Sequence, residues 1–109
     1  MKKSYKFPKQ IPIGGHTYTV ELMDSCHTTD VHPSVADTFA DLEEIRIATV
    51  TPGGTPRNIT VLEESLLHET IHAISEVWSL ELQEAQVEGL AQGMLQVLRS
   101  LGFKLIEPA

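Results

Sequence analysis

The sequence predicts an α+β domain in which a small, mainly antiparallel three-stranded sheet packs on two helices. Apolar residues alternate with period two before about residue 58, and a period of 3.6 replaces it afterwards. Between the two regimes lies a break, residues 51–56, whose two prolines and two glycines continue neither ladder nor helix. Strands grouped before helices define the α+β class. With 109 residues there is room for one domain, 1–109, around one core.

The first strand is expected at 16–22, where Tyr18, Val20 and Leu22 alternate with polar residues after a lead of Ile11, Pro12 and Ile13 and the pair Gly14-Gly15. Residues 24–37 read as a long connection with room for a turn of helix. Phe39 and Leu42 suggest a second short strand, and 44–50 a third. Thr60 and Glu63 then fit a capping box that starts a helix over 61–78. After a joint at 79–81, a second helix runs over 82–101, closed by Gly102 after Arg99 in its last turn. The apolar tail, 103–109, is expected to pack on the body of the domain.

At about 100° per residue, Leu67, Ile71, Ile74 and Trp78 share one face of the first helix, and Leu62, Leu66, Ala73 and Val77 another. A helix apolar on two sides is central. On the second helix Leu90, Met94, Val97, Leu98 and Leu101 join Val87 and Ala91 in one broad stripe, enough for one side of a helical hairpin.

Fifteen acidic residues against eight basic ones give a net charge of −7, which repels phosphate backbones and anionic lipid. Nucleic-acid and membrane partners are therefore disfavoured. A single cysteine, Cys26, forms no internal disulfide, and no apolar run reaches the roughly 18 residues of a membrane span. Pro8, Lys9 and Gln10 stand where a signal peptide would be apolar, so a leaderless cytoplasmic protein is expected.

The most informative segment is His68-Glu69-Thr70-Ile71-His72. Four residues of separation put both imidazoles on one helix face, one turn apart, within reach of a single tetrahedral cation. Glu69 sits beside them without pointing at the same spot, which suits a carboxylate that accepts a proton from a metal-activated water and delivers it to a leaving amine. His-Glu-x-x-His on a helix is the zinc metallopeptidase signature. As a bare string it arises by chance in about 2% of shuffled sequences of this composition, so its helical context carries the weight. A third ligand is required, leaving one position for water. Counting six residues from His72 to Trp78 and climbing as many from the start of the second helix arrives at Glu88; Glu84, one turn nearer the joint, faces the apolar stripe and is the other candidate, as ligand or as partner to an imidazole.

His68-Glu69-x-x-His72 followed at short range by Glu88-Gly89-Leu90-Ala91 resembles the gluzincin clan of zinc metallopeptidases, whose third ligand is a glutamate followed by a small residue. Chain size and element order further resemble the minimal minigluzincins and small phage and prophage proteins of the same layout. The likeness spans about residues 11–102, although only the metal motif in it is specific. It implies Zn²⁺ held by His68, His72 and Glu88, Glu69 as general base and acid, and a peptide or protein substrate. No Tyr or His follows Glu88 to stabilise an oxyanion, a departure from the larger members. Tyr18, His16, His27, His32 and Arg46, all in the first half, are the available substitutes, and the third strand is a candidate edge for an extended peptide. Cys26, His27 and His32 make a weak second metal set. By analogy with latent minimal gluzincins, the tail would occupy the cleft with Glu107 near the metal.

Three classes of function follow: a zinc endopeptidase, a non-catalytic domain stabilised by zinc that binds a partner, and an α+β interaction module in which the motif is coincidental.

Overall fold

A computed structural model describes residues 4–24 and 35–109. The α+β class holds, with a four-stranded mixed sheet in place of three mainly antiparallel strands. The elements are β1 (Tyr5–Lys6), β2 (Gln10–Ile13), β3 (His16–Met23), β4 (Ala36–Phe39), β5 (Glu44–Ala48), α1 (Ile59–Val77), α2 (Glu84–Ser100) and β6 (Glu107–Pro108).

The extra strand is β2. Gly14 and Gly15 both adopt positive φ, 56° and 86°, the turn that lets two residues join antiparallel strands and pairs Ile13 with His16. Ile11 and Ile13 turn inward while Gln10 and Pro12 are exposed, and the sheet accommodates the missing N–H of Pro12 because β2 is an edge. From β3 the chain passes to the far edge, forms β4, and returns through a 3₁₀ turn (Ala40–Leu42) and the left-handed Glu43 into β5. The order is β2-β3-β5-β4, with β3 and β5 parallel and the other pairs antiparallel. Leu42, expected in a strand, lies in the 3₁₀ turn and is exposed. The third predicted strand is therefore internal and offers no free edge; Ile45, Ile47 and Ala48 on it are fully buried. The edge on that side is β4.

Helix α1 is central, as its two apolar faces predict. Leu62, Leu66 and Ala73 pack under the sheet with Ile13, Tyr18, Val20, Ile45 and Ile47. Leu67 and Ile71 pack on Val87, Ala91 and Leu95 of α2. The layers thus run sheet, α1, α2. Ile74 joins the sheet side and Trp78 is exposed, both departures from the expected faces. The broad stripe of α2 also divides: Val87 and Ala91 are buried, together with Leu95, which the expected stripe left out, whereas Leu90, Met94, Val97 and Leu101 face outward.

The N-terminus of α1 is not closed by the predicted capping box. The helix starts at Ile59 after Asn58, and Glu63 is spent elsewhere. Its carboxylate, 1% exposed, accepts from Arg99 Nη2 at 2.5 Å and from the backbone N–H groups of Leu105 (2.7 Å) and Ile106 (3.3 Å). These contacts fasten the tail: Ile106 enters the core, and β6 pairs with β1. The tail accordingly lies along β1, with Glu107 opposite Lys6, and does not fill the cleft at the histidines. Among the described residues, no helix is long and apolar enough to cross a membrane.

Candidate metal centre

His68 and His72 project from one face of α1 and bring their Nε2 atoms to 3.2 Å from each other. Two nitrogens bound to one tetrahedral ion at the usual zinc–imidazole length stand about 3.3 Å apart, so the pair already spans one edge of such a polyhedron. Glu84 supplies a third donor. Its Oε1 lies 2.5 Å from His68 Nε2 and its Oε2 3.0 Å from His72 Nε2. Donor atoms of the three residues fall within 4.8 Å of one another, a group that could hold a metal ion. Both imidazoles are partly buried and Glu84 is largely exposed, leaving one side of the group open to solvent.

The structure places Glu84 in this group and Glu88, the residue favoured by counting along the hairpin, outside it as an exposed side chain. Two local causes account for this. Residues 80–83 are not helical, and extended backbone advances about 3.3 Å per residue against 1.5 Å in a helix. The chain has therefore climbed back to the level of Ser75 by Leu82, whose N–H donates to Ser75 Oγ at 3.0 Å. Left-handed Ser79 and Glu81 make the reversal tight enough. Register along α2 is the second and smaller cause: at about 100° per residue Glu84 lies about 20° and Glu88 about 60° from the mean direction of the buried Val87, Ala91 and Leu95.

Glu69 lies beside the pair and is 7% exposed. Burial pushes its carboxyl above the usual range, while a hydrogen bond from Thr38 and the neighbouring imidazoles pull it down and Asp37 adds to the rise. Thr38 Oγ1 lies 2.7 Å from Glu69 Oε1 and 3.0 Å from the Glu69 carbonyl oxygen. The edge strand β4 thereby holds the motif glutamate in place. Sequence reasoning did not reach Thr38, because 31 residues separate it from Glu69 and only the sheet order brings β4 over α1. Next to the group, a cavity of about 300 Å³ is bordered by Ala36, Arg57, Ser65, His68 and Glu69. Arg57 closes its floor, donating to the Val35 and Ala48 carbonyls and to Ser65 Oγ.

The described candidates for an oxyanion stabiliser are engaged elsewhere. Tyr18 is in the core, His16 pairs with Glu43, and Arg46 stacks over Phe39 and pairs with Glu44. Cys26, His27 and His32, offered as a second metal set or as rim residues, lie outside the described residues. Comparison with protein-family models, with curated proteins and with solved structures finds no match.

Proposed function

We propose that the chain is a zinc-dependent metallopeptidase acting on peptides or proteins in a cytoplasmic setting, with His68, His72 and Glu84 as ligands. The observation that carries this reading is the convergence of two imidazole Nε2 atoms on the Glu84 carboxylate beside a buried glutamate held by a hydroxyl. A donor set of two histidines and one glutamate suits zinc, and such a metal supplies Lewis-acid polarisation of a carbonyl and a more acidic water. Glu69 takes up the proton and returns it to the leaving amine. Thr38 donates to Oε1, fixing the rotamer and leaving Oε2 for the transfer. Burial of Glu69 raises the basicity of its carboxylate, the direction a proton acceptor needs. An extended substrate adds to β4, which is an edge strand among the described residues and already touches Glu69.

One observation favours a second reading, a zinc-stabilised domain that binds a partner without cleaving it. Of the residues offered as oxyanion donors, Tyr18 sits in the core, His16 pairs with Glu43 and Arg46 pairs with Glu44, rather than with the histidine pair.

Metal analysis with two variants tests both. The wild-type chain should carry about one equivalent of zinc, and Glu69→Gln should keep it while abolishing cleavage of a peptide library. Glu84→Ala should weaken zinc at least about 100-fold, and Glu88→Ala should leave affinity within about threefold. Zinc without turnover in the wild type selects the second reading, and a chain that binds no zinc removes both. If Glu88→Ala is the variant that loses the metal, the assignment of Glu84 is wrong.

A further inference from the structure

The outward half of α2 is an apolar stripe with no charge on it. Leu90, Met94, Val97 and Leu101 are 46%, 43%, 58% and 67% exposed. Residues 89–98 contain no acidic or basic side chain, although the whole chain carries −7. A surface helix ordinarily presents its charged residues to water and its apolar arc to the core. Here α1 covers only the part of that arc containing Val87, Ala91 and Leu95, and the rest faces solvent. The four side chains expose on the order of 400 Å² of apolar surface, the size of the largest patch on a typical monomer, which is often functional.

The spacing of the stripe selects the occupant. Its steps are four, three and four residues, a series that reads the same in both directions. A two-fold axis perpendicular to α2, passing between Met94 and Val97, therefore sets Leu90 opposite the partner's Leu101 and Met94 opposite the partner's Val97. Every apolar side chain meets an apolar one, as a self-complementary interface requires. Gly89 and Gly93 flank the stripe, and a Cβ at either would meet nothing, so no protruding side chain holds the two helices apart. Two stripes contribute about 800 Å² in total, the size range of weak, transient association rather than of a permanent complex. Depletion of charge at its centre is the composition of such an interface.

We propose that the chain forms a two-fold homodimer through this face of α2, the two helices antiparallel and the two α1–α2 hairpins making a four-helix layer with a sheet on each outer side. The proposal is independent of the metal reading. Sedimentation velocity of the full chain tests it: the wild type should move from 12.1 kDa towards about twice that mass as its concentration rises to about 100 μM. Met94→Glu and Val97→Lys, at exposed positions, should each weaken association at least about tenfold with unchanged circular dichroism. Mixed together they should restore a dimer, because the new Glu and Lys then face each other across the axis. A wild type that stays monomeric at about 100 μM, and so keeps the face for a different protein, overturns the proposal. So does a dimer that either substitution leaves intact, and failure of the mixed sample to recover overturns the antiparallel register.

Discussion

Arg99→Met is expected to destabilise the fold by about 3 kcal/mol, more than its position suggests. The Arg99 side chain is 46% exposed, and an exposed ion pair is ordinarily worth about 0–1 kcal/mol. Its partner is not exposed at all: Glu63 retains 1% of its surface. Methionine keeps the apolar stem but removes the cation, leaving a buried carboxylate with only the Leu105 and Ile106 amides, at 2.7 and 3.3 Å. A buried charge stripped of its partner costs about 3–5 kcal/mol, and the two remaining donors put the cost at the lower end. Glu63→Gln works the other way round. It leaves a cation that water can still reach and an amide oxygen that can still accept from the tail, so about 1–2 kcal/mol is expected. Urea unfolding measures both, and the Arg99 variant should also lower the melting temperature by about 10–20 °C. The ranking is the test. If Glu63→Gln costs more than Arg99→Met, or if Arg99→Met costs under about 1 kcal/mol, Glu63 is not held as a buried carboxylate by Arg99 and the account of how the tail is fastened fails.

On the proposed peptidase reading, Thr38→Val should leave zinc affinity unchanged, since Thr38 bonds to Glu69, and lower kcat by about tenfold to a hundredfold at constant KM. Thr38→Ser should recover most of the loss, whereas equal rates in all three proteins would remove Thr38 from the site. Tyr18, 2% exposed, has its phenol pushed above the ordinary value of about 10, first by burial and then by Glu43 and Glu76. The folded chain then holds a proton that the unfolded chain has released, so stability is level below about pH 10 and falls above it. Unfolding midpoints measured on either side of that pH, with Tyr18→Phe as control, check the sign: the variant should lose less stability in alkali than the wild type.

How much was legible beforehand depends on the distance over which each feature is determined. The α1 and α2 helices and the pairing of His68 with His72 follow from neighbours within a few residues, where backbone geometry alone decides placement. Strand β2 escaped because a run of four residues, one of them Pro12, is too short to tell a strand from a connection, and pairing with β3 makes it a strand. Glu63 illustrates the converse. Its spacing from Thr60 matches a helix cap, yet the tail and Arg99, 36 to 43 residues away, take the carboxylate. A local hydrogen bond at a solvated helix end is worth less than satisfying a charge in the core.

The sequence by itself determined an α+β chain with a central helix, a histidine pair one turn apart on it, and a glutamate-bearing helix returning alongside. Each of these rests on periodicity, which the covalent geometry of the backbone imposes on any chain that folds this way. Tertiary structure alone decided that Glu84 and not Glu88 meets the imidazoles, that Thr38 grips Glu69, and that half of the apolar arc of α2 stays uncovered. Those outcomes turn on shifts of a few ångströms between elements far apart in sequence: the rise of an extended joint, the order in which strands insert, and the width of one helix against another. No residue pattern encodes such offsets locally, because they are sums over every contact that packs one layer on the next.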